Sequence, residues 1–247
     1  MSPIPLEVGP VGTLGSYCAT LDCMAGHVAI PQVDGIPLDA VAFYRELAES
    51  NSREWWAANK DRYAVSVQEP MAHLGDVLTD EFGEPKLFRP NRDVRFSKDK
   101  SPYKDHQGLF VPTSARMGWY VQIGPDGLRT AGGFYASESD QVARYRASVQ
   151  DDVAGALLVN IVDALLDNGF DIGGDVLATR PRGIPEDHPR LELLRHRTLT
   201  AARDHGTPDW LETEEAHERV RADWDAMRPL IEWCDQYVGA SEKPGRR

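Results

Sequence analysis

The spacing of apolar residues changes period along this chain, and each change marks a predicted element. Leu38, Val41, Phe43, Tyr44 and Leu47 recur at helical spacing, which predicts a first helix ending near Ser50 and Asn51. A second helix is expected to open with Asn51 as its cap and Glu54 three residues on, a capping-box variant, and to carry Trp55, Trp56, Asn59 and Tyr63. Pro70 suits the first turn of a third helix that stops at Gly83. The period then falls to two. Leu109–Val111 and Trp119–Ile123 read as strands, and the turn Pro125-Asp126-Gly127 leads into Leu128–Tyr135, so a hairpin is expected. Helical spacing returns at Asp140–Val149 and at Val153–Leu166, the latter closed by Asn168 and Gly169. A short strand at Phe170–Ile172, a loop rich in Pro and Arg, a strand at Thr198–Ala202 and a long helix over Glu214–Val238 complete the reading.

Helices and strands fall in separate blocks rather than in strict alternation. That favours an α+β fold, one domain over residues 36–240 with helices packed on an antiparallel sheet. Residues 1–35 scatter Gly and Pro without periodicity and read as a flexible N-terminal extension. No apolar run approaches the ~20 residues that span a bilayer, so no membrane segment is expected. The N-terminus lacks the basic segment and compact apolar core of a secretory leader. Cys18, Cys23 and Cys234 are too few for a disulfide framework and read as free thiols, which places the protein in the cytoplasm.

Charge sharpens the picture. The formal net charge is −12, which argues against broad attraction to nucleic acid. Yet between Lys86 and Lys104 seven cations face only Asp93 and Asp99, and four of the chain's six lysines lie there. A compact ammonium in a chain that otherwise prefers arginine suggests positions needing a point charge. Pro90 and the Val94-x-Phe96 pattern argue for extended or irregular backbone, so these side chains diverge. Asp93, between Arg92 and Arg95, is expected to pair with one of them and fix its guanidinium for an external anion. The candidate ligand-binding set is therefore Arg89, Arg92, Asp93, Arg95, Lys98, Lys100, Tyr103, Lys104 and His106, with Arg180 and Arg182 joining if their loop folds against the first stretch. The competing reading is an internal ion-pair network with solvated lysines.

Arg89-x-x-Arg92-Asp93-x-Arg95-Phe96 followed by Asp99-Lys100-x-x-Tyr103 resembles the signature of a widespread bacterial family, also seen in fungi, known as domain of unknown function 2461. Asn51-Ser52-Arg53-Glu54-Trp55-Trp56-x-x-Asn59-Lys60-x-x-Tyr63 and Arg180-Pro181-Arg182-Gly183 through His188-Pro189 are similar to it as well. The resemblance spans Ile36–Val238. It implies a single domain and names no reaction, ligand or cofactor.

Other chemistry is thin. Gly132-Gly133 lacks the spacing of a phosphate loop, and His217 in Glu214–Glu218 has no second histidine one helical turn away, so no nucleotide loop and no metal site is expected. No serine elbow is present. His106, His188 and His196 stand closest to the basic elements as candidates for proton transfer. Trp55, Trp56, Tyr63, Tyr103 and Trp119 either stack on a ring-shaped ligand or pack in the core. The leading reading is a protein that binds a small phosphate or carboxylate ligand, with catalysis and cofactor unassigned. The alternatives are a nucleic-acid-binding domain or a protein-interaction domain using the same basic loop.

Overall fold

The computed structural model describes residues 33–95, 98–114, 116–135 and 137–243. Most of the extension read over residues 1–35, together with Cys18, Cys23 and Phe96, lies outside the described residues. The architecture is α+β, with a six-stranded sheet whose pairings are all antiparallel.

Helix α1 (Leu38–Glu49) buries Val41, Phe43, Tyr44 and Leu47, the apolar stripe its spacing demanded. Helix α2 (Arg53–Tyr63) is capped by Ser52, whose Oγ accepts from the Trp55 N–H at 3.1 Å, and not by the expected Asn51. Asn51 is taken elsewhere, as described below. A π-helical turn over Ala64–Gln68 joins α2 to α3 (Glu69–Phe82), which ends at Gly83 with φ 102°. Arg62 grips Asp39 and Glu46 at 2.6 and 2.7 Å, binding α2 to α1.

Strands β1 (Lys86–Leu87), β2 (Gln107–Ser114), β3 (Met117–Gly124) and β4 (Gly127–Phe134) form a meander. The β3–β4 hairpin turns through Pro125-Asp126, with Gly124 opposite Gly127. Helices α4 (Ser139–Gln150) and α5 (Asp152–Asp167) follow, then β5 (Asp171–Gly173), α6 (Leu191–Arg195) and β6 (Leu199–Gly206). The sheet order is β1-β2-β3-β4-β6-β5. A 3₁₀ turn at Asp209–Glu212 leads into α7 (Glu215–Tyr237), which passes through Pro229. Among the described residues no helix is long and apolar enough to cross a membrane.

One face of the sheet packs against α1, α3 and α7. Trp119, Val121 and Ile123 of β3 and Leu109 and Val111 of β2 point into this core, where alternation puts every second side chain. The Gly132-Gly133 pair is a packing device. A Cβ on Gly132 would stand 3.2 Å from Ile231 Cδ1 of α7, and Gly133 has φ 129° with the carbonyl oxygen of Leu199 2.5 Å from where a Cβ would lie. A polar node ties α7 to the sheet: Asp223 on α7, 2% exposed, accepts from Thr130 Oγ1 at 2.6 Å and from Arg203, and lies 2.7 Å from His205 Nε2.

Candidate functional site

The basic stretch is a ribbon grown from the β1–β2 pair. Arg92 N–H donates to Pro102 O at 2.9 Å, Lys104 N–H to Pro90 O at 2.8 Å, and Asn91 bridges Tyr103. Asn51 clamps this ribbon: its Nδ2 donates to Tyr103 O at 3.0 Å and its Oδ1 accepts from Tyr103 N–H at 3.2 Å. At the ribbon's base buried Gln107 donates to Phe88 O at 2.7 Å and accepts from Tyr63 Oη at 2.6 Å.

Most charges near the ribbon tip face one another. Arg92 pairs with Asp99 and lies 3.8 Å from Asp105. Asp93 takes Arg95 at 2.7 Å, which holds the exposed Asp93 carboxyl down at about 2. Lys100 Nζ donates to Val94 O at 2.9 Å, and His106 Nδ1 lies 2.8 Å from Asp105. Tyr103 is buried, with its ring stacked on Trp56 at 4.1 Å. Lys98 is exposed. Arg180 donates to Ile184 O at 2.7 Å, and Arg182 is exposed. Their loop follows β5, the edge strand opposite β1, and among the described residues no hydrogen bond or ion pair joins it to the first basic stretch.

Arg89 and Lys104 differ from the rest. Among the described residues neither side chain makes a hydrogen bond or ion pair. Lys104 Nζ instead stands 5.0 Å from the centre of the Phe88 ring. Burial, with Arg89 close by, holds the Lys104 ammonium below its ordinary value. Two cations are thus held near each other, with Asp93 within range of the Arg89 charge.

Phe88 leads from this pair onto the sheet face that the core does not use. There a cavity of about 330 Å³ opens, and none of its lining residues comes from a helix. Phe88, Phe110, Tyr120 and Tyr135 are its aromatic walls; Ala131, Gly133, Thr200 and Ala202 form a floor of small residues. Arg129 lines one end and pairs with Asp204. Tyr120 donates to Gln122 Oε1 at 2.9 Å, and burial pushes its hydroxyl up to about 12, so it stays neutral.

Of the aromatics offered either for stacking or for core packing, Trp56, Tyr63, Tyr103 and Trp119 are all buried in the core, and none lines this face. The signal was the phase of the strands: Phe110 and Tyr120 fall between Leu109 and Val111 and between Trp119 and Val121, where a one-sided sheet would carry polar residues. Arg129 had no comparable signal, being a lone cation in its strand.

A second cavity, about 340 Å³, lies between α3 and the start of α7, lined by Asp34, His73, Glu214, His217 and Glu218. Its carboxylates give it the wrong sign for an anion. Among the described residues no group of three or more His, Cys, Asp or Glu is placed to hold a metal ion. Cys234 is buried, with its thiol pushed up to about 12, which removes it as a nucleophile. Burial holds the His217 imidazole below its ordinary value, His73 adding to the effect and Glu214 and Glu218 opposing it; burial lowers His196 too. The unfolded chain takes up these protons near pH 6.5 and the fold resists them. Stability is therefore expected to decline as pH falls from about 6.5 toward 5. Urea midpoints across that range check this, and a rising midpoint would contradict it.

A family model described as Conserved hypothetical protein (DUF2461) matches residues 39–233. No curated protein matches the chain.

Proposed function

We propose that this chain, which belongs to the DUF2461 family of conserved hypothetical proteins, binds a small organic anion, a carboxylate or phosphate, on the open face of its sheet. One observation carries this reading: Lys104, with no hydrogen bond or ion pair of its own and Arg89 close by, stands over Phe88 at the aromatic edge of a concave surface. Like charges held close raise each other's cost, and an anion seated between them relieves it. Arg129 supports the reading from the cavity's other side, because its fork of donors exceeds what the single carboxylate of Asp204 uses. The cavity is near the lower bound for small-molecule pockets, which run from about 300 Å³. The self-paired charges of Arg92, Asp93, Arg95 and Asp99 then serve to hold the ribbon that presents Lys104. A cytoplasmic location fits the buried free thiol of Cys234.

A thermal-shift panel of phosphates, nucleotides and carboxylates tests the idea. A true ligand at 100 times its Kd adds about 2.7 kcal/mol, or roughly 5–11 °C in a chain of this size. Arg89→Ala with Lys104→Ala is expected to remove the shift. An unchanged shift in that double variant, or no shift from any acid, would sink the proposal.

The open aromatic face also favours a second reading, single-stranded nucleic acid stacked on Phe110, Tyr120 and Tyr135. Affinity would then fall steeply with salt, and the net charge of −12 weighs against it.

A further inference from the structure

The shape of the open face selects the body of the ligand as well as its charge. Cross-strand register places Gly118, Gly133 and Thr200 side by side in one row and Tyr120, Ala131 and Ala202 in the next. Both rows line the cavity, so its floor offers no branched side chain larger than a threonine beyond Tyr120 itself. Beside it the aromatic rings form one continuous wall: Tyr135 meets Phe110 edge to face with centroids 5.2 Å apart, and Phe88 stands 6.5 Å from Phe110 and 6.2 Å from Tyr120. A floor of small residues beside an aromatic wall accommodates a thin, flat object and leaves voids around a puckered or branched one.

We infer that the site takes aromatic acids, a flat ring laid on Ala131 and Ala202, in preference to aliphatic acids of equal charge. The inference rests on the anion-binding reading above and narrows it to one class of ligand.

Titration calorimetry on the full chain with 2-naphthoate, benzoate, cyclohexanecarboxylate and inorganic phosphate tests it. Benzoate and 2-naphthoate are expected to bind at least tenfold more tightly than cyclohexanecarboxylate. Ala131→Leu, which raises a branched side chain from the floor, is expected to weaken 2-naphthoate tenfold or more while leaving the response to phosphate intact. Thr200→Leu makes the same test from the neighbouring strand should the first variant fold poorly. Equal affinity for the saturated and aromatic acids, or 2-naphthoate binding that both floor variants leave unchanged, overturns the ring assignment while anion binding stands. No binding of any acid overturns both.

Discussion

Asp223→Ala is expected to cost about 3–5 kcal/mol, the penalty of leaving the partners of a buried ion pair without their acid. The carboxylate is 2% exposed on α7 and serves three donors on two strands: Thr130 of β4, and Arg203 and His205 of β6. Its loss strands a guanidinium that is only partly solvated, its side chain 29% exposed and its Cζ 3.9 Å from the centre of the Phe170 ring. Total stability for a domain of this kind is about 5–15 kcal/mol, so the variant sits near the threshold of folding. The melting temperature is expected to drop by roughly 6–20 °C. Asp223→Asn keeps an acceptor for Thr130 and should lose less. A denaturation midpoint for Asp223→Ala within about 1 kcal/mol of the parent would show that α7 is held to the sheet by its apolar face alone.

That node was invisible in the sequence, and the reason is general. Arg203, His205 and Asp223 form no local motif; they meet because β6 pairs with β4 and α7 packs across β4. What periodicity could show, it showed: the stripe of α1, the β3–β4 hairpin with its Pro125-Asp126 turn, and the stop of α5 at Asn168 and Gly169. Elements too short for a period escaped, notably β1 with two residues and α6 with five. The helix cap slipped by one residue because Asn51 and Ser52 are both good caps, and only tertiary structure reveals that Asn51 is needed at Tyr103.

The candidate site divides along the same line. A run of cations is legible in one dimension, but its neutralisation is not, since Arg92 finds Asp99 and Asp105 only when the ribbon doubles back. Of the residues the charge run nominated, Lys104 reaches the Phe88 ring that lines a cavity, and that cavity is made by strands the charge argument ignored.

Trp56→Ala is expected to cost about 3–5 kcal/mol as well, with a local effect that Asp223→Ala lacks. Adjacent tryptophans on a helix cannot face the same way, and here Trp56 is the buried one, 9% exposed, in contact with Tyr103 at 4.1 Å, Tyr63 at 4.8 Å and Phe43 at 5.8 Å. Trp55 packs only partly against the same cluster, so Trp55→Ala should be milder. Because the Tyr103 ring fastens the ribbon to α2 through Trp56, removing the indole frees a segment whose exposed tip carries trypsin sites at Lys98 and Lys100. Cleavage there under native conditions should accelerate beyond what the global loss of stability explains, whereas Asp223→Ala should raise cleavage only in proportion to unfolding. Ribbon cleavage that tracks global stability identically in both variants would mean that the hydrogen bonds of Asn51 and Gln107 hold the ribbon without help from the ring stack. Pairing Asn51→Ala with Trp56→Ala separates the two: if hook and stack act on one anchor, the second change adds less than it costs alone.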